Sequence, residues 1–213
     1  MKGGRILLFS GGHLGPWALA EITEGDFLLG VDRGTLFLIE NGCRPDLAMG
    51  DFDSVNAAEF SRIKLESKEC QACEPVVKDE TDTEMAFNWA LTQNPREILL
   101  LGVLGCRFDH TLANVHLLAK ALQAGIPCRI VDEKNEILLI NDAAVIRKDR
   151  FRQISLLPLT GRVTGITLTG FQYPLHQATL TLGHSLGISN ILQDETGKVE
   201  IATGQLLIIK SMD

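Results

Sequence analysis

The fold class follows from residues 97–131, which read EILLLGVLGCRFDHTLANVHLLAKALQAGIPCRIV. This stretch opens and closes with the short apolar runs Glu97–Leu101 and Cys128–Val131, which are typical of buried β-strands. Between them, residues 111–124 carry apolar side chains at helical spacing, and Gly125 then provides a stop signal. A strand, a helix and a second strand in this order indicate a parallel sheet with the helix packed on one face.

The chain on the N-terminal side repeats the same alternation. Arg5–Phe9 and Phe27–Val31 are short apolar runs that predict two more buried strands, and residues 84–91 have helical spacing. Strands that alternate with helices indicate a parallel sheet covered on both faces. We therefore predict an α/β domain over residues 1–135.

The pattern changes near residue 135, beyond which no convincing amphipathic helix appears. Short β-rich runs are instead separated by glycines at the spacing of an antiparallel sandwich or barrel. The predicted strands are residues 136–140, 151–157, 162–168, 178–182, 198–202 and 205–209. The sequence thus predicts an all-β second domain over residues 136–213.

Composition and charge limit the classes of function. The 213 residues are 45% hydrophobic and 22% charged, and no apolar run approaches the roughly 18–20 residues that span a bilayer. The net charge of −7 argues against non-specific binding to nucleic acid, which depends on Lys and Arg. The first apolar run ends too soon for a secretion signal. We therefore expect a cytoplasmic protein that binds neither membrane nor nucleic acid.

One pair of cysteines, Cys70 and Cys73, has C-x-x-C spacing. Such a pair could be half of a zinc site or a redox pair, but no second pair follows at zinc-ribbon spacing. The five cysteines, without an export signal, indicate reduced thiols. We interpret the pair as ordinary core or surface cysteines.

The sharpest local signal is Gly50-Asp51-Phe52-Asp53-Ser54. In an extended segment, residues two apart point the same way, so Asp51 and Asp53 would share one side while Phe52 enters the core. Two such carboxylates suit Mg²⁺, which completes its shell with waters and substrate phosphates. A surface turn in which Ser54 caps a following helix explains the same residues, so spacing alone leaves both interpretations open.

A second acidic cluster precedes the predicted helix. Thr81 and Glu84 fit a capping box. This leaves Asp79 and Asp82 near a helix N-terminus, where backbone N–H groups also favour phosphate, and Lys78 adds a positive charge. A capped helix and a phosphate site both remain open from these residues.

Two further turns follow predicted strands. Arg107 offers a planar fork for phosphate oxygens, while Asp109 in the same turn could be a ligand, a base or a helix cap. Ser10-Gly11-Gly12 suits close passage of phosphate over backbone amides, although it is neither a P-loop nor a dinucleotide fingerprint. Acids, cations and glycines at several strand ends of one sheet together indicate a metal and polyphosphate cleft.

Several segments resemble, in family order, the signature of the thiamine pyrophosphokinases. Together they span nearly the whole chain and are highly specific, although each alone is modest. They are residues 30–34, 45–46 with 50–54, 78–82, 105–114, 170–175 and 183–190. Two departures stand out: Asp32 is followed by Arg33-Gly34-Thr35 where the family usually has Gly-Gly-Ala, and Tyr173 replaces the Trp of animal members.

The resemblance implies a Rossmann-like parallel-sheet α/β domain, a C-terminal antiparallel β-sandwich, and a homodimer with active sites between subunits. It implies ATP and thiamine as substrates and Mg²⁺ as cofactor. By motif position, Asp51, Asp53 and Asp82 would hold the metal. Asp32, Asp79, Arg107 and Asp109 would complete the nucleotide and pyrophosphate site, and Tyr173, Ser189 and Asn190 would bind thiamine. The turn arguments add Ser10, Gly11, Gly12 and Lys78 to the ATP site.

The predicted reaction is in-line attack by the thiamine hydroxyl on the β-phosphorus of ATP, with AMP as leaving group. Arg107 and Lys78 would neutralise phosphate charge, and Asp79 or Asp109 could accept the hydroxyl proton. One alternative is a related pyrophosphokinase that acts on another small alcohol such as a pterin. A second is a non-catalytic regulator that binds the nucleotide or thiamine without releasing AMP.

Overall fold

The computed structural model describes residues 3–72 and 80–213. By its internal contacts, the chain divides into two compact units, Met1–Glu133 and Lys134–Asp213. Within the described residues, every helix is too short or too polar to cross a membrane.

The first unit alternates strands and helices around a parallel sheet. Its elements are β1 (Arg5–Phe9), α1 (Pro16–Leu19), β2 (Phe27–Val31), α2 (Arg33–Glu40), β3 (Leu47–Gly50), α3 (Ala57–Glu66), β4 (Glu69–Ala72), α4 (Asp82–Thr92), β5 (Glu97–Leu101), α5 (Phe108–Ala124) and β6 (Cys128–Val131). The strands lie in the order β4-β3-β2-β1-β5-β6, and each neighbouring pair is parallel. The direction of winding reverses between β1 and β5, which is where open α/β sheets bind ligands.

The central strands are the apolar runs that the sequence predicted, and β1, β2, β5 and β6 are confirmed at the predicted bounds. Leu7, Leu8 and Phe9 of β1 and Leu99 and Leu100 of β5 are fully buried, because helices cover both faces of the sheet. β3 and β4 were not predicted; β4 is largely exposed and lacks the apolar run of a buried strand.

The helix N-termini differ from the predictions in detail. Ser54 does not cap α3; Asn56 does, with its side chain accepting from the backbone of Glu59 in a full capping box. Thr81 caps α4 as predicted, but its box is incomplete, because the Glu84 carboxylate binds the Lys120 ammonium at 2.6 Å. The predicted capping box at α4 is therefore wrong in its second half.

The second unit is an antiparallel β-sandwich. Its strands are β7 (Asn135–Ile140), β8 (Ala143–Arg147), β9 (Gln153–Pro158), β10 (Arg162–Thr169), β11 (Ala178–Thr181), β12 (Thr196–Glu200) and β13 (Leu206–Ser211). β13 pairs with β7 and β9, and a four-stranded sheet has the order β11-β10-β12-β8.

One hydrophobic core lies between these two layers of the second unit. Leu156 and Ile208 from the first layer share a cluster with Val163, Ile166 and Val199 from the second, all at most 1% exposed. Alternation of buried and exposed residues along β9 and β12 produces this core, as expected of strands with one solvated face. The predicted sandwich is confirmed.

Candidate active site

Three carboxylates from different parts of the chain meet at the C-terminal edge of the parallel sheet. Asp32 follows β2, Asp51 follows β3, and Asp82 is the first residue of α4. One oxygen from each lies within 4.8 Å of the others. The sequence placed Asp51, Asp53 and Asp82 together. Among the described residues, the structure groups Asp32 with Asp51 and Asp82 and leaves Asp53 outside.

Backbone hydrogen bonds tie these loops to one another. The Asp51 N–H donates to Asp82 Oδ1, and the Phe52 N–H donates to Asp32 Oδ1, both at 3.1 Å. Gly50 makes the approach possible, because a Cβ at this position would lie 2.0 Å from Asp32 Oδ1. The loop after β3 is thus held between Asp32 and Asp82.

Two residues of this site have unusual backbone conformations. Asp32 has φ 46° and Phe52 has φ 58°, in the region that side-chain-bearing residues rarely adopt. The prediction of an extended segment from Asp51 to Asp53 is therefore wrong. Phe52 is buried as predicted, at 5% exposure, but it begins a turn that the Val55 N–H closes on the Phe52 carbonyl at 3.3 Å, and Asp53 lies within this turn. Such strain persists only where the surroundings fix it, and it is concentrated at functional sites.

The carboxylates of Asp32, Asp51 and Asp82 lie close enough for Asp51 and Asp82 to repel the charge of Asp32. Burial, together with the negative charges of Asp82, Asp51 and Asp53, raises the pKa of Asp32 to about 7, against one opposing hydrogen bond from Phe52. A divalent cation would offset this repulsion, and three carboxylate oxygens are the ligand type that hard cations prefer. The residues present therefore fit a divalent metal.

A cavity of about 440 Å³ lies beside the carboxylates, at the reversal point of the sheet. Its wall includes the turn after β1, the turn after β5 and the start of α4. The lining residues are Ser10, Gly11, Gly12, Asp32, Arg33, Ser54, Thr81, Asp82, Thr83, Gly102, Val103, Leu104, Gly105, Cys106, Arg107, His110, Thr111 and Asn114. The predicted turns thus converge on one cavity.

The two turns of this wall touch each other closely. The Gly12 N–H donates to the Gly102 carbonyl at 2.8 Å, and a Cβ on Gly12 would lie 2.4 Å from that oxygen. The Ser10 and Thr83 hydroxyls are buried and 2.8 Å apart, which joins the end of β1 to the start of α4. These contacts fix the relative positions of the glycine turn and the Asp82 segment.

Arg107 and Asp109 form an exposed ion pair at the beginning of α5. Arg107 Nη2 lies 2.5 Å from Asp109 Oδ2, and Arg107 Nε lies 3.3 Å from Oδ1. The hydrogen bond from Arg107 lowers the pKa of Asp109 to about 2. Asp109 does not cap the helix, because Arg107 occupies the N-cap position. Lys78 and Asp79, which the sequence also assigned to this site, lie outside the described residues.

A second cavity, of about 370 Å³, lies in the β-sandwich unit. Its lining residues are Leu168, Tyr173, Pro174, Leu175, Leu186, Gly187, Ile188 and Asn190. Tyr173 and Asn190 were predicted to bind substrate, and the structure places both on this wall. Ser189 lies between two lining residues with φ 59°, and its N–H donates to Ser155 Oγ at 3.1 Å.

Family models match both units. The model described as the thiamin pyrophosphokinase catalytic domain matches residues 20–130, and the model of the vitamin B1 binding domain matches residues 143–208. A curated thiamine pyrophosphokinase from Bacillus subtilis is 37% identical over 98% of this chain and 99% of its own length. The chain belongs to the thiamine pyrophosphokinase family.

Solved structures of thiamine pyrophosphokinases have the same fold. The crystal structure of the Bacillus subtilis protein matches with a TM-score of 0.91 at 36% identity, covering 98% of this chain and 99% of that one. The Geobacillus thermodenitrificans structure matches with a TM-score of 0.89 at 36% identity, covering 98% of both chains. The family that the motifs indicated is confirmed.

The sequence interpretation missed several residues that the fold brings to the cavity beside the carboxylates. Thr83 is buried and bonded to Ser10, and Asn114 is buried with its amide donating to the Val103 carbonyl at 2.7 Å. Thr111 accepts a hydrogen bond from the Gly105 N–H at 3.1 Å. A signal for Asn114 was available, because it is a polar residue about two helical turns after the N-cap Arg107 and lies near an apolar stripe.

Proposed function

We propose that this member of the thiamine pyrophosphokinase family transfers the pyrophosphoryl group of ATP to the hydroxyl of thiamine, giving thiamine diphosphate and AMP. The observation that carries the proposal is the meeting of Asp32, Asp51 and Asp82 beside a cavity at the reversal point of the sheet. Family membership over nearly the whole chain supports the same activity.

Asp32, Asp51 and Asp82 are the described residues that would hold Mg²⁺. The metal, when bound, neutralises charge on the polyphosphate of ATP. Asp53 would not be a metal ligand, because its carboxylate lies outside the three-carboxylate cluster. Its negative charge would still add to the electrostatic attraction for the metal, as it raises the pKa of Asp32. The proposed metal ligands therefore include Asp51 and Asp82, as the sequence predicted, with Asp32 in place of Asp53.

The remaining residues of the cavity would position the nucleotide. The glycine turn at residues 10–12 lets phosphate approach the backbone, and Arg107 presents a planar guanidinium to phosphate oxygens. Asp109 would orient that guanidinium rather than accept the hydroxyl proton, because a carboxylate with a pKa of about 2 is a weak base near pH 7. The assignment of a proton acceptor to Asp79 remains a prediction.

Thiamine would bind at the sandwich cavity that Tyr173 and Asn190 line. The Tyr173 ring is 59% exposed and offers a flat apolar face to a pyrimidine. The sandwich unit also exposes Leu182 and Leu186 at 65% and 64%. Exposed apolar side chains of this size support the proposal of a homodimer with its active sites at the subunit interface.

The deciding experiment is to incubate the protein with ATP, thiamine and MgCl₂ and to quantify nucleotides and thiamine esters by chromatography. Equal amounts of AMP and thiamine diphosphate are expected, and release of ADP would overturn pyrophosphoryl transfer. Replacing thiamine with a hydroxymethyl pterin tests the related pyrophosphokinase. Binding of both substrates without AMP would instead indicate a regulator. Light scattering of the same sample tests the homodimer.

A further inference from the structure

We propose that Arg33 binds the phosphates of ATP beyond the α-phosphate, at the part of the cavity wall formed by Asp32 and the glycine turn. The inference deepens the proposed function and rests on its assignment of this cavity to ATP. It assigns a role to the residue that follows Asp32 and begins α2.

Local packing places Arg33 at the glycine turn. Arg33 is the first residue of α2, and Gly34 behind it packs directly on the end of β1. A Cβ on Gly34 would lie 2.0 Å from the Phe9 carbonyl oxygen, so a larger residue would displace the start of the helix. On the other side, a Cβ on Gly11 would lie 3.5 Å from Arg33 Cβ. Arg33 therefore lies next to the glycine turn at residues 10–12, where phosphate would approach the backbone.

The charges in the cavity wall distinguish Arg33 from Arg107. These are the two arginines among the described lining residues. Arg107 is already engaged by the Asp109 carboxylate through two hydrogen bonds. Arg33 is exposed, and none of the described residues forms an ion pair or a side-chain hydrogen bond with its guanidinium. Its five N–H donors can therefore meet a ligand without first breaking an internal pair.

The position of Arg33 next to Asp32 indicates which phosphates it would contact. Asp32 belongs to the carboxylate group that would hold the metal, and the metal would bind the transferable phosphates. Arg33 directly follows Asp32 in the chain, and both residues line the same cavity. The guanidinium of Arg33 would therefore add positive charge beside the site of the outer phosphates.

The test compares ATP with AMP, which lacks the two outer phosphates. Arg33→Ala should weaken ATP binding about 10- to 100-fold, in line with the loss of hydrogen bonds to a charged group. Binding of AMP should change less than about twofold. Arg33→Lys keeps the charge but loses the planar fork, so its ATP affinity should lie between those of the wild type and the alanine variant. Calorimetry with each nucleotide and MgCl₂ measures all three.

Arg44→Ala is the matched control, because Arg44 is an exposed arginine of the same unit outside this cavity. Its ATP and AMP affinities should equal those of the wild type. Equal weakening of ATP and AMP in Arg33→Ala, or no change in either, would overturn the inference. Binding is measured without turnover, so these outcomes are independent of whether the wild type uses thiamine. Thermal melts of every variant identify any loss of folding. If Arg33→Ala is unfolded, the comparison of ATP and AMP affinities is made with Arg33→Lys instead.

Discussion

The side-chain amide of Asn190 is bound to the backbone of Tyr173 at both of its polar ends. Asn190 Oδ1 accepts from the Tyr173 N–H at 3.1 Å, and Nδ2 donates to the Tyr173 carbonyl at 2.8 Å. Oδ1 also accepts from the Ile191 N–H at 2.9 Å, and Asn190 itself is only 7% exposed. Asn190 therefore shapes the sandwich cavity by fixing the Tyr173 segment, and its amide has little capacity left for a substrate.

Asn190→Ala should raise the KM for thiamine about tenfold while leaving the KM for ATP nearly unchanged. The substitution leaves the Tyr173 N–H, the Tyr173 carbonyl and the Ile191 N–H without these hydrogen bonds, which costs roughly 1–3 kcal/mol when such groups are buried. Steady-state kinetics with each substrate varied in turn measures the two KM values separately. Thr203→Val is the control, because it removes the exposed Thr164–Thr203 hydrogen bond elsewhere in the same unit. A parallel rise in both KM values would contradict the positioning role.

Asp82→Asn and Asp53→Asn should differ in activity, although the two aspartates look equivalent in the acidic motifs. Asp82 belongs to the three-carboxylate group and accepts the Asp51 N–H, whereas Asp53 lies outside that group. We expect kcat/KM for AMP release to fall about 100-fold or more in Asp82→Asn, as when one preorganised electrostatic contact is lost. Asp53→Asn should lose less than about tenfold. A larger loss in Asp53→Asn, with both variants folded, would return Asp53 to the ligand set.

Asp32→Asn should stabilise the metal-free protein at alkaline pH. The folded-state pKa of Asp32 is raised from 3.8 to about 7 by burial and neighbouring acids, so between these pH values the folded state holds the extra proton. The free energy of unfolding must then fall as pH rises through this window. Asparagine removes that slope and keeps an oxygen for the Phe52 N–H. At pH 8 the gain should be on the order of 1–3 kcal/mol after allowance for solvent screening.

Denaturant unfolding in EDTA at pH 4, 6 and 8 checks this result. The variant and the wild type should have similar stability at pH 4 and diverge as pH rises. Excess MgCl₂ at pH 8 should reverse the order, because a ligand that binds the folded wild type stabilises it by mass action. Identical pH slopes for the two proteins would show that Asp32 ionises normally.

Lys210→Met should destabilise the sandwich unit by about 3 kcal/mol, near the lower end for removing one partner of a buried ion pair. The Lys210 side chain is only 6% exposed and binds Glu136 at 3.3 Å and also Asp149. Lys198→Met is the matched control, because Lys198 pairs with Glu200 at 2.6 Å but is half exposed. Lys198→Met should lower the free energy of unfolding by no more than about 1 kcal/mol. Equal costs in chemical unfolding would show that the Lys210 pairs contribute no more than a surface pair.

The sequence by itself determined four strands of the parallel sheet, β1, β2, β5 and β6, and the family. The apolar runs of β1, β2, β5 and β6 are long enough, and sharply enough bounded by glycine or charge, to define strands from local pattern alone. The order of motifs along the chain indicated the family, and the family models that match residues 20–130 and 143–208 confirm it. These are properties of local hydrophobicity and chain order.

Only the tertiary structure decided which polar groups meet. The left-handed backbone at Phe52 turns Asp53 away from the extended geometry that spacing predicted, and the missing Cβ of Gly50 lets Asp32 reach the same loop. Likewise, the Glu84 side chain pairs with Lys120, 36 residues away, instead of completing a local capping box. Side-chain partners depend on backbone dihedrals and on packing between distant segments, neither of which is encoded in residue spacing.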